Sequence, residues 1–270
     1  MAFKLTWLPD VLMGAGLRVS LVDGWETRGH GDMGQVFGVI CHHTAVMNPQ
    51  RQNMPTLRSL RDGRRASANL SALPGPLAQL GLGRDGTYFV VAAGKAIHAG
   101  PGSYKNVSGN SRFIGIEAEN EGSLGDFPWP AAQVEAYQRG VAAILKHLGK
   151  DASFCCGHKE YAPERKPDPN LNMNVFRAAV EGFINGTIQP TPLIPDVETQ
   201  PQPGQPAARP TLRRPMKHEL VKVVQTKLGL TADGKFGPRT EAAVRQFQRD
   251  HNLVPDGIVG PKTWLALDTV

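Results

Sequence analysis

The chain has few cysteines, few aromatic residues and no long apolar run. Its three cysteines in 270 residues include an adjacent pair, Cys155 and Cys156. They cannot supply the even, spaced framework of a disulfide-stapled secreted domain, so reduced thiols are expected. A Cys-x-x-Cys pair is missing too, which removes the zinc-finger class. No stretch approaches the roughly 20 apolar residues that span a bilayer, and no stable membrane insertion is expected. The first ten residues break their apolar run at Pro9 and Asp10 and lack a basic n-region, a clean h-region and a small-residue cleavage site. No signal peptide is therefore expected. Acidic excess is also absent: 30 Lys and Arg face 24 Asp and Glu, a net charge of +6. That balance favours a polyanionic partner such as nucleic acid, anionic lipid or an acidic wall polymer, without choosing among them.

What is present divides the chain. From Thr187 to Pro215 large apolar residues thin out and prolines recur at 190, 192, 195, 201, 203, 206, 210 and 215. Such a stretch reads as an extended, semi-rigid spacer between residues 1–186 and 216–270. The C-terminal piece contains a repeat, Asp233-Gly-Lys-Phe-Gly-Pro-Arg-Thr240 and Asp256-Gly-Ile-Val-Gly-Pro-Lys-Thr263, in which Gly suits a turn and Pro suits a first helical position. Apolar residues at three- and four-residue spacing surround the copies: Leu220, Val223, Val224 and Leu228, then Ala243, Val244 and Phe247, with Trp264 and Leu267 closing the set. The prediction is a small all-α domain of three helices. Over 211–267 ten basic side chains stand against five acidic ones, a net of +5 that carries most of the chain's excess.

The N-terminal piece alternates β-rich runs with helical patterns. Val36–His42, Thr87–Ala93 and Phe113–Glu117 read as strands, and Ala131–Leu148 and about 174–183 as helices. The fold class expected is α/β, a central mixed sheet flanked by helices. Residues 1–35 match no pattern that places them.

Three short segments carry chemistry: Ile40-Cys-His-His-Thr-Ala45, Ile114-Gly-Ile-Glu-Ala-Glu119 and Gly157-His-Lys-Glu-Tyr-Ala-Pro-Glu-Arg-Lys-Pro-Asp-Pro169. Together they offer imidazoles, carboxylates and a lysine, an inventory that suits a catalytic zinc ion with three protein ligands and one open position. His43 adjoins His42 on one strand, so alternation turns it to the opposite face, where a structural role is expected. Cys41, Cys155 and Cys156 are expected to be buried and structural.

On these three segments the N-terminal domain resembles the type-2 N-acetylmuramoyl-L-alanine amidase family, related to peptidoglycan-recognition proteins, over roughly residues 36–176. The paired turns and the run Ala243-Val-Arg-Gln-Phe-Gln248 likewise resemble the three-helix peptidoglycan-binding domain of wall hydrolases. In that domain, only exposed polar turn residues are candidates for contact with glycan. The amidase resemblance implies His42, His158 and Asp168 as zinc ligands, the last ten residues beyond His158. It implies Glu117 as general base and Lys166 as the cation that steadies the oxyanion. Glu119, of the same strand parity as Glu117, is expected to be solvated or structural, and Arg165 to pair with a carboxylate. His98, in Ala96-Ile-His-Ala-Gly100, matches a segment beside the family's substrate groove; it either touches substrate, supports a ligand from behind, or packs. The chain departs from the family pattern at Asn170, at Ile97 and at Asn69, which bears on subsites rather than on the metal.

The implied activity is cleavage of the amide between N-acetylmuramic acid and L-alanine, with peptidoglycan as partner, zinc as cofactor and a monomer as the working form. A non-catalytic recognition protein and an amidase that recycles soluble muropeptides are the rivals; the C-terminal module argues against the second, since a soluble substrate needs no tether. Nucleic acid drops out for want of stacking aromatics or a recognition helix. A wall enzyme without a signal peptide implies an endolysin, made in the host cytoplasm and released through a separate holin.

Overall fold

The run Val39-Ile-Cys-His-His43 lies in a sheet one strand in from its edge and is buried on both faces. A computed structural model describes residues 2–66, 71–191, 209–251 and 253–269. The chain forms two compact units, Met1–Pro190 and Thr191–Val270.

In the first unit the strands are β1 (Val19–Leu21), β2 (Gly38–His43), a short ribbon of β3 (Gly63–Arg64) and β4 (Leu73–Pro74), then β5 (Leu80–Leu82), β6 (Tyr88–Val90), β7 (Phe113–Ala118) and β8 (Cys155–Gly157). The helices are α1 (Leu8–Gly14), α2 (Leu57–Asp62), α3 (Ala131–His147), the single turn α4 (His158–Tyr161) and α5 (Met173–Asn185). Six strands make one mixed sheet in the order β1-β6-β5-β7-β2-β8. β5, β7, β2 and β8 run parallel; β6 is antiparallel to β5 and carries β1 alongside it in parallel.

Strand parity sorts the core. Val39 and Cys41 of β2, Ile114 and Ile116 of β7 and Cys155 of β8 point into the main core with Tyr137, Val141, Ile144 and Leu145 of α3 and Phe176 and Val180 of α5. Full burial of each large apolar side chain contributes about 1.5–3 kcal/mol. The opposite face carries a smaller cluster of Ile40, Phe113, Cys156, Ala99 and Tyr161, and His42 shares its parity. One face of the sheet is thus sealed by long helices while the other is left to short elements and loops, where a cleft can form.

Residues 1–35 find their place. Leu5, Leu8 and Leu12 are buried in the main core, α1 packs against α3, and β1 is one of the sheet's two edge strands. α5 starts where Asn172 accepts the Asn174 and Val175 N–H groups and stops at Gly186 in the left-handed region.

The second unit holds α6 (Glu219–Lys227), α7 (Pro238–Asp250) and α8 (Pro261–Leu267) around Val221, Val224, Phe236, Val244, Phe247, Val259, Trp264 and Leu267. Leu212, within the Pro-rich stretch, is fully buried there and pairs with Val259. Val223, expected inward, is 38% exposed, and the inward partner of Val224 is Val221; spacings of three and four on a short helix fit two overlapping stripes. The repeat is structural in a way its spelling hides. Gln225 donates to Asp233, the Lys235 carbonyl and Thr240 and accepts the Gly234 N–H, and Gln248 does the same with Asp256, Ile258, Thr263 and Gly257. The Asp and Thr of each turn are thereby engaged within the fold.

Candidate metal centre

The register of three parallel strands brings the site together. His42 lies directly opposite Glu117 across β2 and β7, and Cys41 lies opposite Gly157 across β2 and β8, so the next residue of each chain places His42, Glu117 and His158 at one strand-end edge. The turn into α4 is held by Glu160, which accepts the Gly157 N–H and pairs with Arg177 at 2.7 and 2.9 Å. Lys159 N–H then donates to the Asp168 carbonyl, closing the loop so that its carboxylate returns beside His158.

His42 Nδ1, His158 Nδ1 and Asp168 Oδ2 converge, with separations of 2.9, 3.1 and 3.2 Å, and all three residues are buried. Outer partners determine which atoms face inward. His158 Nε2 donates to the Ala99 carbonyl at 2.8 Å, which turns Nδ1 to the centre. His98 Nε2 lies 3.1 Å from the Phe113 carbonyl, which can only accept, so His98 Nδ1 is an acceptor and takes the Nε2–H of His42 at 3.1 Å. His42 therefore also presents Nδ1 as a lone pair. Burial lowers the His42 pKa to about 4, which keeps it neutral at physiological pH. Two imidazole nitrogens and a carboxylate oxygen aimed at one point are a group that could hold a metal ion.

Glu117 stands at the rim. Its Oε1 is 3.9 Å from His42 Nδ1, while Oε2 is buried and has no hydrogen-bond partner among the described residues. Burial pushes its pKa well above the ordinary carboxylate range, the Asp168 charge adds to this, and Lys166 opposes it. Lys166, Glu117, His158 and Asp168 line a cleft of about 550 Å³, with Val46, Leu60, Leu77 and Ile97 as its apolar wall.

The other residues singled out fall on either side of this centre. His43 is turned away from His42, buried near Trp129, with the Asn170 N–H 3.4 Å from its Nδ1. A Cβ at Gly122, itself in the left-handed region, would come within 2.3 Å of the His43 ring. Glu119 is fully buried and takes hydrogen bonds from Thr56 and Thr44. Arg165 corrects the expectation of a carboxylate partner: it donates to the Ala99 and Pro101 carbonyls beside His158. The three cysteines are free and buried, with Cys41 Sγ 3.5 Å from Cys155 Sγ. Asn170 accepts the Trp129 indole N–H at 2.7 Å, and Ile97 lines the cleft. Asn69 lies outside the described residues. Sequence reasoning missed Tyr137, whose hydroxyl accepts the His42 N–H at 2.8 Å and reaches the His42 and Ile116 carbonyls; at helical spacing it reads as core alone.

A buried group of two histidines and an aspartate that could hold a metal ion stands at the ends of parallel strands in an α/β domain. The family model for N-acetylmuramoyl-L-alanine amidases matches residues 32–171, over half of the chain, and the chain belongs to that family. A second model, for a putative peptidoglycan binding domain, matches residues 217–267. An uncharacterized protein in the bpoA1 3' region of Kitasatospora aureofaciens is 43% identical over 72 residues, covering 24% of this chain and 61% of the relative. The zinc D-Ala-D-Ala carboxypeptidase of Streptomyces albus G is 54% identical over 35 residues, 13% of this chain and 14% of the relative. The chain thus spans less than two thirds of either curated relative. Among solved structures, that of a selenomethionine AmpD derivative is similar at 24% identity and a TM-score of 0.47, covering 66% of this chain and 99% of that one.

Proposed function

We propose that the chain hydrolyses the amide between N-acetylmuramic acid and L-alanine in bacterial peptidoglycan, using zinc held by His42, His158 and Asp168. The observation that carries this reading is the convergence of three acceptors within 3.2 Å of one another, beside a buried carboxylate oxygen of Glu117 that has no partner among the described residues. When bound, the ion supplies a Lewis acid for the amide carbonyl and a more acidic water. Glu117 takes the proton of the attacking water and returns it to the departing alanine nitrogen as the C–N bond breaks. Lys166, on the cleft wall, sets a positive charge where the oxyanion develops. His98, which also lines the cleft, belongs to the same machinery.

Residues 1–186 are the catalytic domain in this reading, 187–215 a spacer and 216–270 a module that holds the enzyme on an insoluble polymer, raising local concentration without altering the site. A tether of that kind fits a monomeric, wall-lytic enzyme of endolysin type.

Mass spectrometry of digested sacculi tests the bond. Stem peptides with a free L-alanine amine and glycan with free lactyl carboxylates are expected, whereas new reducing sugar ends would reject the amidase reading. Glu117→Ala should lower turnover by roughly 10²- to 10⁴-fold, the usual share of a positioned acid/base, with zinc content unchanged. Loss of zinc in that variant would make Glu117 a ligand and overturn its assigned role.

A further inference from the structure

The Gly of Ile114-Gly-Ile-Glu117 and the His of Ala96-Ile-His-Ala-Gly100 belong to separate segments of the chain, and the structure gives them one task. A Cβ built on Gly115 would lie 2.5 Å from His98 Cγ and 2.7 Å from both Cδ2 and Nδ1. The His98 ring therefore occupies the space that any other residue at 115 would fill. Gly115 is also tied down, its N–H donating to the buried Gln79 Oε1 at 2.7 Å. It sits two residues before Glu117 on the face that His42 shares.

Both ring nitrogens of His98 are engaged. Nε2 meets the Phe113 carbonyl and Nδ1 meets His42 Nε2, each at 3.1 Å, and the His98 and His42 rings meet edge-on at 87°. The backbone of His98 is anchored as well, since Asn110 Oδ1 accepts the N–H groups of both His98 and Ala99 at 3.0 and 2.8 Å. No polar atom of the ring is left for a substrate. A carbonyl of β7 thus sets the His98 tautomer, and His98 sets that of His42. The other ligand is handled directly, because Ala99, the next residue, offers its carbonyl to His158 Nε2. Residues 98 and 99 between them orient both imidazoles.

We propose that His98 is a positioning residue for the metal: a histidine-to-histidine relay from the Phe113 carbonyl that holds His42 with Nδ1 toward the ion, with Gly115 present to admit its ring. This rests on the metal reading above. An outer hydrogen-bond partner of this sort typically contributes 10- to 100-fold in metal affinity.

The test is zinc affinity of the full chain, measured by competition with a chromophoric chelator, for wild type, His98→Leu, His98→Asn and Gly115→Ala. Leu fills the space but cannot accept; Asn puts Oδ1 where Nδ1 was and can. His98→Leu is expected to weaken zinc binding 10- to 100-fold, and Asn to restore most of the loss. Gly115→Ala should weaken binding in the wild-type background and add little in His98→Leu. As a readout independent of affinity, ¹⁵N spectra of the histidines in the metal-free full chain should show His42 protonated at Nε2 and bare at Nδ1. Zinc affinity within about twofold of wild type in His98→Leu, or His42 protonated at Nδ1, overturns the relay. Should the His98→Leu chain fail to fold, the Gly115→Ala affinity and the wild-type tautomer decide alone. A wild-type chain that binds no zinc instead rejects the metal reading itself.

Discussion

Removing the hydroxyl of Tyr137 should cost the first unit more than its size suggests. The ring is fully buried, and the hydroxyl joins α3 to the ends of β2 and β7 by accepting the His42 N–H at 2.8 Å and donating toward the Ile116 carbonyl at 2.9 Å or the His42 carbonyl at 3.1 Å. In Tyr137→Phe the ring still packs, so almost no apolar burial is lost. What is lost is the acceptor for a buried backbone N–H, worth about 1–3 kcal/mol when left unsatisfied, and one net hydrogen bond to a carbonyl of about 1 kcal/mol. We expect a destabilisation of about 2–4 kcal/mol, the sum of those two losses, read from a denaturant titration followed by tryptophan fluorescence. Trp7, Trp25 and Trp129 report on this unit and Trp264 on the other. Tyr104→Phe is the control, since among the described residues its hydroxyl reaches the Ser153 carbonyl alone, at 3.2 Å from a half-buried position, and its loss should cost under about 1 kcal/mol. Equal midpoints for the two variants would refute the reasoning.

Two further outcomes follow from the geometry. Burial alone would raise the Asp126 carboxyl, but the two-pronged Arg84 pair at 2.8 Å, the Glu121 N–H and Arg51 hold it below its usual range. A depressed carboxyl stabilises fully above its unfolded value and loses that stability as pH falls through the folded one. Asp126→Asn should therefore cost about 2–3 kcal/mol between pH 5 and 8, with the gap to wild type closing below about pH 4 in urea titrations; a gap that widens in acid would contradict the sign. Gln248→Leu orphans the Gly257 N–H and takes one partner each from Asp256 and Thr263, which keep Ile258, so it should destabilise the second unit by about 1–3 kcal/mol, with Gln225→Leu alike; an unchanged midpoint by Trp264 emission in either variant would count against it.

The three converging side chains were legible through the resemblance of their segments to the amidase family; residue types alone suited a metal site without choosing among His42, His43, His158, Asp168 and the carboxylates near them. The long elements were legible on their own, as α3 and β2 carry unbroken patterns. Residues 1–35 were not, because α1 and β1 are too short to show a period and owe their place to contacts with α3 and β6. Arg165 was misjudged because a sequence advertises charges and hides carbonyls. The link between Gly115 and His98 was invisible too, since an empty Cβ position means nothing until the ring that fills it is seen.

The separation of these side chains along the chain also sets a schedule. His42 and Asp168 are 126 residues apart, and His42 and His158 116 apart. At ribosomal speeds of about 5–20 residues per second, His42 has waited several seconds before its last partner is synthesised. β2 also lacks both of its neighbours until β7 and then β8 arrive. During that interval an apolar strand ending in two histidines is open to wrong pairings, and contacts of such long range close slowly. His42, His158 and Asp168 can therefore converge only once Asp168 has been synthesised, and a nascent chain that stops short of it holds no such cluster.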